Sequence, residues 1–163
     1  MRTAVLLLVL VGVLCLGACG GDDDAADTSA VSTSGQRGQA IVIRTRKNVA
    51  LTEGAEPIAT GEVIEGSTLG DSPFCVGGAV LDSHGSTDPT VWLIIETITC
   101  RDDTVKLRLE PGRSPGLTQT GSWTIESGDG SFEGLRGGGE MAAVYDPDPT
   151  EPAHTTLTGI VTR

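Results

Sequence analysis

Trp123–Met141 reads W-T-I-E-S-G-D-G-S-F-E-G-L-R-G-G-G-E-M. Its opening residues alternate, with Trp123 and Ile125 on one side and Thr124 and Glu126 on the other, the two-residue period of a strand. Gly128, Asp129 and Gly130 then supply a turn. Phe132 and Leu135 stand among glycines before the chain extends again at Met141. Glycines inside strands as well as between them let backbones pass closely and bend sharply. The stretch therefore predicts a corner of a closed or nearly closed, strongly coiled antiparallel sheet.

The flanking chain repeats the strand signal. Towards the N-terminus, Thr104–Glu110 sets Val105, Leu107 and Leu109 against Lys106, Arg108 and Glu110. Thr90–Cys100 is the longest apolar run and is rich in β-branched residues, which favours strand over helix. One of its faces carries Trp92, Ile94, Glu96, Ile98 and Cys100. Ala40–Ala50 places Ile41 and Ile43 opposite Arg44 and Arg46. Pro57–Glu65 and Phe74–Leu81 add two more strands, each interrupted by glycine. Beyond the central stretch, Gly139–Tyr145 ends at D-P-D-P, where proline stops pairing. Thr155–Arg163 is the last strand. No segment sustains a capped helical period. The expected fold is all-β, an eight-stranded antiparallel β-barrel spanning residues 40–163, with a β-sandwich as the alternative. A barrel is favoured because both ends of the domain are strands, which can pair and remove the exposed edges.

Residues 1–18 read as an export signal. Arg2 is followed by the apolar Ala4–Leu16, too short to cross a bilayer comfortably. Leu16-Gly17-Ala18-Cys19 resembles the lipobox of bacterial lipoproteins. The resemblance implies cleavage before Cys19 and a diacylglyceryl thioether on its sulfur, hence an anchor on the extracytoplasmic face of the cell membrane. Two acyl chains hold stably where one holds marginally, at about 0.8 kcal/mol per buried CH₂. An ordinary secretory signal is the alternative. Residues 19–39 are small and polar and read as a solvated tether. Their Asp22–Asp24 run lacks the preformed oxygen cage that calcium prefers, so no metal site is expected.

Of the four cysteines, Cys15 leaves with the signal and Cys19 takes the lipid. Cys75 and Cys100 remain as a pair in an exported domain, which predicts a disulfide. No C-x-x-C motif suggests a redox couple or a metal site instead.

The formal net charge of −11 argues against nucleic acid as a partner, because phosphate contacts need lysine and arginine. It also opposes adhesion to anionic surfaces. Aromatic residues are only 3% of the chain, which does not suit a stacking platform for sugars or bases. The glycines at 134–139 lack both the G-x-G-x-x-G spacing and a following G-K-[ST], so no nucleotide cofactor is expected.

The segment Gly121–Met141 resembles the glycine-rich hairpin of the allene oxide cyclase/dirigent-like barrel superfamily, and Phe74–Gly85 resembles a segment of small exported actinobacterial proteins carrying that hairpin. The resemblance implies a barrel. The superfamily includes cyclases, proteins that steer radical coupling and many of unknown activity, and none of its catalytic residues aligns here.

Two residues are candidates for chemistry. His84 has Asp82 and Asp88 close in sequence, and a carboxylate can orient an imidazole for acid–base work. Glu96 lies in an apolar strand. Turned inward, it needs a partner such as Arg108 or Arg101, or a raised pKa. Arg136 could pair with Glu133 or Glu140 at the surface. The expected function is that of an envelope lipoprotein whose barrel binds a small apolar ligand or an envelope partner. Small residues such as Ala79, Ala142 and Ala143 would leave room for the ligand if they face inward. The alternatives are a structural lipoprotein without a pocket, and a cyclase- or isomerase-like enzyme using His84 or Glu96. Ligand identity and oligomeric state are not encoded in any motif.

Overall fold

The structure is a computed structural model that describes residues 38–51, 56–88 and 90–163. The expected signal segment, Cys19 and most of the expected tether lie outside the described residues. Eight strands form one sheet: β1 Gln39–Val49, β2 Ala59–Val63, β3 Ala79–His84, β4 Ile94–Cys100, β5 Asp103–Pro111, β6 Thr118–Gly128, β7 Arg136–Val144 and β8 Ala153–Thr162. Each pairs antiparallel with its neighbours in sequence, and β1 pairs with β8 from Gln39↔Val161 to Lys47↔Ala153. The barrel is therefore closed. The sandwich alternative is excluded, and closure leaves no free edge.

Alternation decides which side chains fill the barrel. Ile41, Ile43, Val80, Ile98, Leu107, Trp123 and Leu157 point inward and are buried. The central corner works as its glycines require. Asp129 accepts hydrogen bonds from Thr104 N at 2.6 Å and from Thr104 Oγ1 at 2.7 Å. A 3-10 turn, Gly130–Phe132, then drops the Phe132 ring into one end of the barrel. Gly130 has φ +50°, and a Cβ there would strike the Asp103 carboxylate. A Cβ on Gly128 would lie 2.6 Å from that of Phe132. Further along, Gly159 leaves room for the Trp123 ring, whose Nε1 donates to the Thr158 carbonyl at 3.2 Å.

The third strand starts later than its sequence suggests, at Ala79 rather than Phe74. Phe74 instead turns into the barrel and meets Phe132 edge-on, with ring centroids 5.2 Å apart. Cys75 is bonded to Cys100 as expected, with Cα atoms 5.8 Å apart. These contacts plug the end of the barrel at which β1 begins and β8 finishes. The opposite end is a mouth, framed by the β1–β2, β3–β4, β5–β6 and β7–β8 loops.

Candidate functional site

The inward faces change character towards the mouth. Ile41 and Ile43 continue in register to Thr45 and Lys47, Val80 to Asp82, and Ile98 back to Glu96. Asp82 and Glu96 sit directly opposite each other across β3 and β4. Lys47 reaches both from β1: its Nζ donates to Asp82 Oδ2 at 2.8 Å and to Glu96 Oε2 at 2.5 Å. All three side chains are buried.

This cluster sets two carboxylates against one ammonium. Burial works against the charge on Lys47, but Glu96 and Asp82 together outweigh it and hold the ammonium pKa above its ordinary value. Asp82 moves the other way from a normal carboxylate. Burial and the adjacent Glu96 charge push its pKa up to about 7, against the pull of Lys47. Asp82 Oδ1 and Glu96 Oε1 are buried and make no hydrogen bond. One proton on Asp82 relieves both costs. It removes one of two neighbouring charges and turns an acceptor into a donor.

Tyr145 and Gln119 lie above the cluster. The Tyr145 hydroxyl donates to Gln119 Oε1 at 2.9 Å, and Gln119 Nε2 donates to the Gly112 carbonyl at 3.0 Å. Partial burial raises the Tyr145 hydroxyl pKa. Between these groups and Lys47 is a cleft of about 40 Å³, also bordered by Asp82, Ala143 and Thr155. That is water-sized, far below the roughly 300–1,000 Å³ of ligand pockets. Ala143 faces inward, but Ala79 and Ala142 sit on the outer wall and add no interior space. Larger grooves lie outside the barrel, including one of about 400 Å³ over Thr120, Ala142 and Thr156.

The two residues singled out from sequence part company. Glu96 is wholly buried, as its apolar strand implied, but its partner is Lys47. Arg108 shares the outer face with Lys106 and bonds Glu110 at 2.8 Å, and Arg101 occupies the exposed β4–β5 turn with φ +60°. His84 ends β3 in solvent, with Nε2 4.0 Å from Glu56 Oε1. Neither expected carboxylate orients it: Asp82 is held by Lys47, and Asp88 binds Thr90. Arg136 forms no ion pair with Glu133 or Glu140; among the described residues the ion pairs at the surface are Arg46–Glu62, Arg108–Glu110 and the long His84–Glu56 contact. Among the described residues no cluster of three or more metal-ligating acidic, histidine or cysteine side chains occurs.

Lys47 was readable, since it has the same strand parity as buried Ile41 and Ile43. Asp82 was not: the expected strand ended at Leu81, whereas β3 continues to His84 and carries Asp82 inward after Val80. Tyr145 follows β7 with the parity of Met141 and Ala143, but Gln119 lies ahead of the expected strand at Gly121, and their meeting depends on the β6–β7 register that sets Gln119 opposite Ala143.

Most of the large apolar side chains exposed among the described residues belong to the mouth, while Leu81 and Ile160 are exposed on the wall and Val76 near the plugged end. Leu51, Val91, Trp92, Leu117 and Val144 are all exposed in the mouth's loops or at its strand ends, Trp92 by 67%. No family model matches this chain, and no curated protein or solved structure matches it significantly.

Proposed function

We propose that this chain is an envelope lipoprotein, anchored through Cys19, whose barrel docks a partner protein at its mouth. The observation that carries the reading is the gathering of exposed apolar side chains around that one end. Single apolar residues scattered over a surface need no explanation, but several gathered at one end point to an interaction site. Trp92 suits the purpose, since large aromatic side chains supply much of the binding energy at interfaces. The water-sized cleft weighs against a small apolar ligand held inside.

The test uses the full-length protein purified from detergent-extracted envelopes of its own host. Replacing Leu51 and Trp92 with serine should remove a co-purifying partner while leaving the unfolding midpoint nearly unchanged. Ile160→Ser, at another exposed apolar site on the outer wall near the plugged end, should retain it. Equal recovery from all three proteins would overturn the reading. The anchor is checked separately: Cys19→Ser should move the protein from the membrane to the soluble fraction.

A second reading, a cyclase- or isomerase-like enzyme, draws on Asp82. A carboxyl group titrating near neutrality beside Lys47 and Glu96 could transfer protons. It requires the Tyr145 side to open far enough to admit a substrate. Loss of a detected isomerase activity in both Asp82→Asn and Glu96→Gln would support it.

A further inference from the structure

The mouth's charge narrows the choice of partner. Its loops present Glu56, Asp88, Asp146, Asp148 and Glu151 in exposed positions, against Arg113 alone among the described residues. Glu110 adds a sixth carboxylate at the end of β5, already matched by Arg108. Beneath them the buried cluster holds two carboxylates to one ammonium. Glu56 has the His84 ring 4.0 Å away, but Asp88, Asp146, Asp148 and Glu151 have no cationic partner among the described residues and stand in the same mouth loops as the exposed apolar side chains. We propose that the mouth's occupant is a basic polypeptide segment whose apolar side chains pack on Trp92, Leu51 and Leu117 while its lysines and arginines face the loop carboxylates. This rests on the docking reading above and specifies the partner's chemistry.

Other occupants fit worse. A second copy of this chain would bring the same acidic loops face to face, and like charges across an interface cost several kcal/mol. Nucleic acid and an anionic bilayer would meet the same repulsion. A neutral apolar peptide would satisfy Trp92 but leave the ring of carboxylates partly desolvated and unpaired. A basic segment satisfies both features, and the field of the loops would also speed its approach.

The experiment places a photo-crosslinking phenylalanine analogue at Trp92 in the full-length protein, in its host cell. The same analogue at Ile160 serves as control. The charge test adds Asp88→Asn, Asp146→Asn, Asp148→Asn and Glu151→Gln to the Trp92 version. Each asparagine keeps an Oδ1 acceptor for the turn its aspartate holds, such as those to Thr90 N and Thr150 N at 2.9 Å. The proposal expects a crosslink from position 92 but not 160, mapped by mass spectrometry to a lysine- or arginine-rich peptide. It expects the yield to fall about tenfold in the neutralised variant. In membranes from cells with the original loops, 0.5 M salt, on the order of three times physiological strength, should weaken the crosslink in the same direction, so the test survives if the variant misfolds. A crosslink that maps to an acidic segment or a second copy of this chain overturns the basic-partner proposal and leaves docking intact. So does a yield indifferent to neutralisation and to salt. No crosslink from position 92 overturns docking itself, and this inference with it.

Discussion

Asp82→Asn isolates the energetic strain at the mouth. In the unfolded chain this carboxyl group titrates at 3.8, and in the folded protein at about 7. Between these values the native state keeps a proton that the unfolded state has released. Stability therefore falls as pH rises through that window, and the loss is complete once pH exceeds the folded pKa. A shift of roughly three units corresponds to about 4 kcal/mol at most. The asparagine is neutral in both states. Its Oδ1 can still accept from Lys47, and its Nδ2 can donate to Glu96 Oε1, which has no partner at present. The variant should lose this component of the pH dependence. Urea unfolding followed by the fluorescence of buried Trp123 measures it at pH 4.5, 5.5, 6.5 and 8, on the order of the expected titration window. The stability of Asp82→Asn relative to the parent should rise steadily across the series, by about 2–4 kcal/mol in all. A difference constant to within about 0.5 kcal/mol would refute the argument that Asp82 is held protonated by burial and by Glu96.

Three further outcomes follow from the same geometry. Lys47→Met removes the ammonium that two buried carboxylates share, and should destabilise the barrel by about 3–5 kcal/mol at pH 8, less at pH 5 where carboxyl protonation relieves the site; chemical denaturation at the two pH values checks it. Gly159→Ala sets a Cβ 2.7 Å from Trp123 Cζ2 and against the Gly138 backbone, and should cost about 1–3 kcal/mol with altered Trp123 emission. Replacing Cys75 and Cys100 by serine frees a 25-residue separation, and should lower stability by roughly 3 kcal/mol without changing the sheet signal in circular dichroism.

Closure of the barrel was legible because it depends on backbone chemistry. The glycines at 128, 130 and 159 stand where a side chain would meet Phe132, Asp103 or Trp123. The alternation of Val105, Leu107 and Leu109 fixed the inner face of β5. Phe74 was harder. Its neighbours Cys75 and Val76 suggest a strand, but the disulfide and the Phe132 ring draw it across the end of the barrel instead. Trp92 misled in the other direction: it continues the parity of Ile94, yet pairing starts only at Ile94 and leaves it in solvent.

The triad was half legible. Glu96 announced itself as a lone carboxylate in an apolar strand, and inward parity was visible for Lys47. Their meeting was not, because it depends on which strands become neighbours: Lys47 and Glu96 are 49 residues apart and converge from β1 and β4 across the lumen. The apolar rim was equally hidden. Leu51, Val91 and Leu117 are unremarkable loop residues until closure brings alternate loops to one end.

The docking claim is tested most directly by amide hydrogen exchange, read by mass spectrometry, on the full-length protein in its native envelope membranes and after purification to homogeneity. Exchange reports which local openings a partner suppresses. The account predicts slower exchange in the membranes for the peptides containing Leu51, Trp92, Leu117 and Tyr145, with β8 and the Gly130–Phe132 turn unchanged. Protection at the plugged end or along the outer wall, with the mouth peptides exchanging equally in both settings, would contradict it.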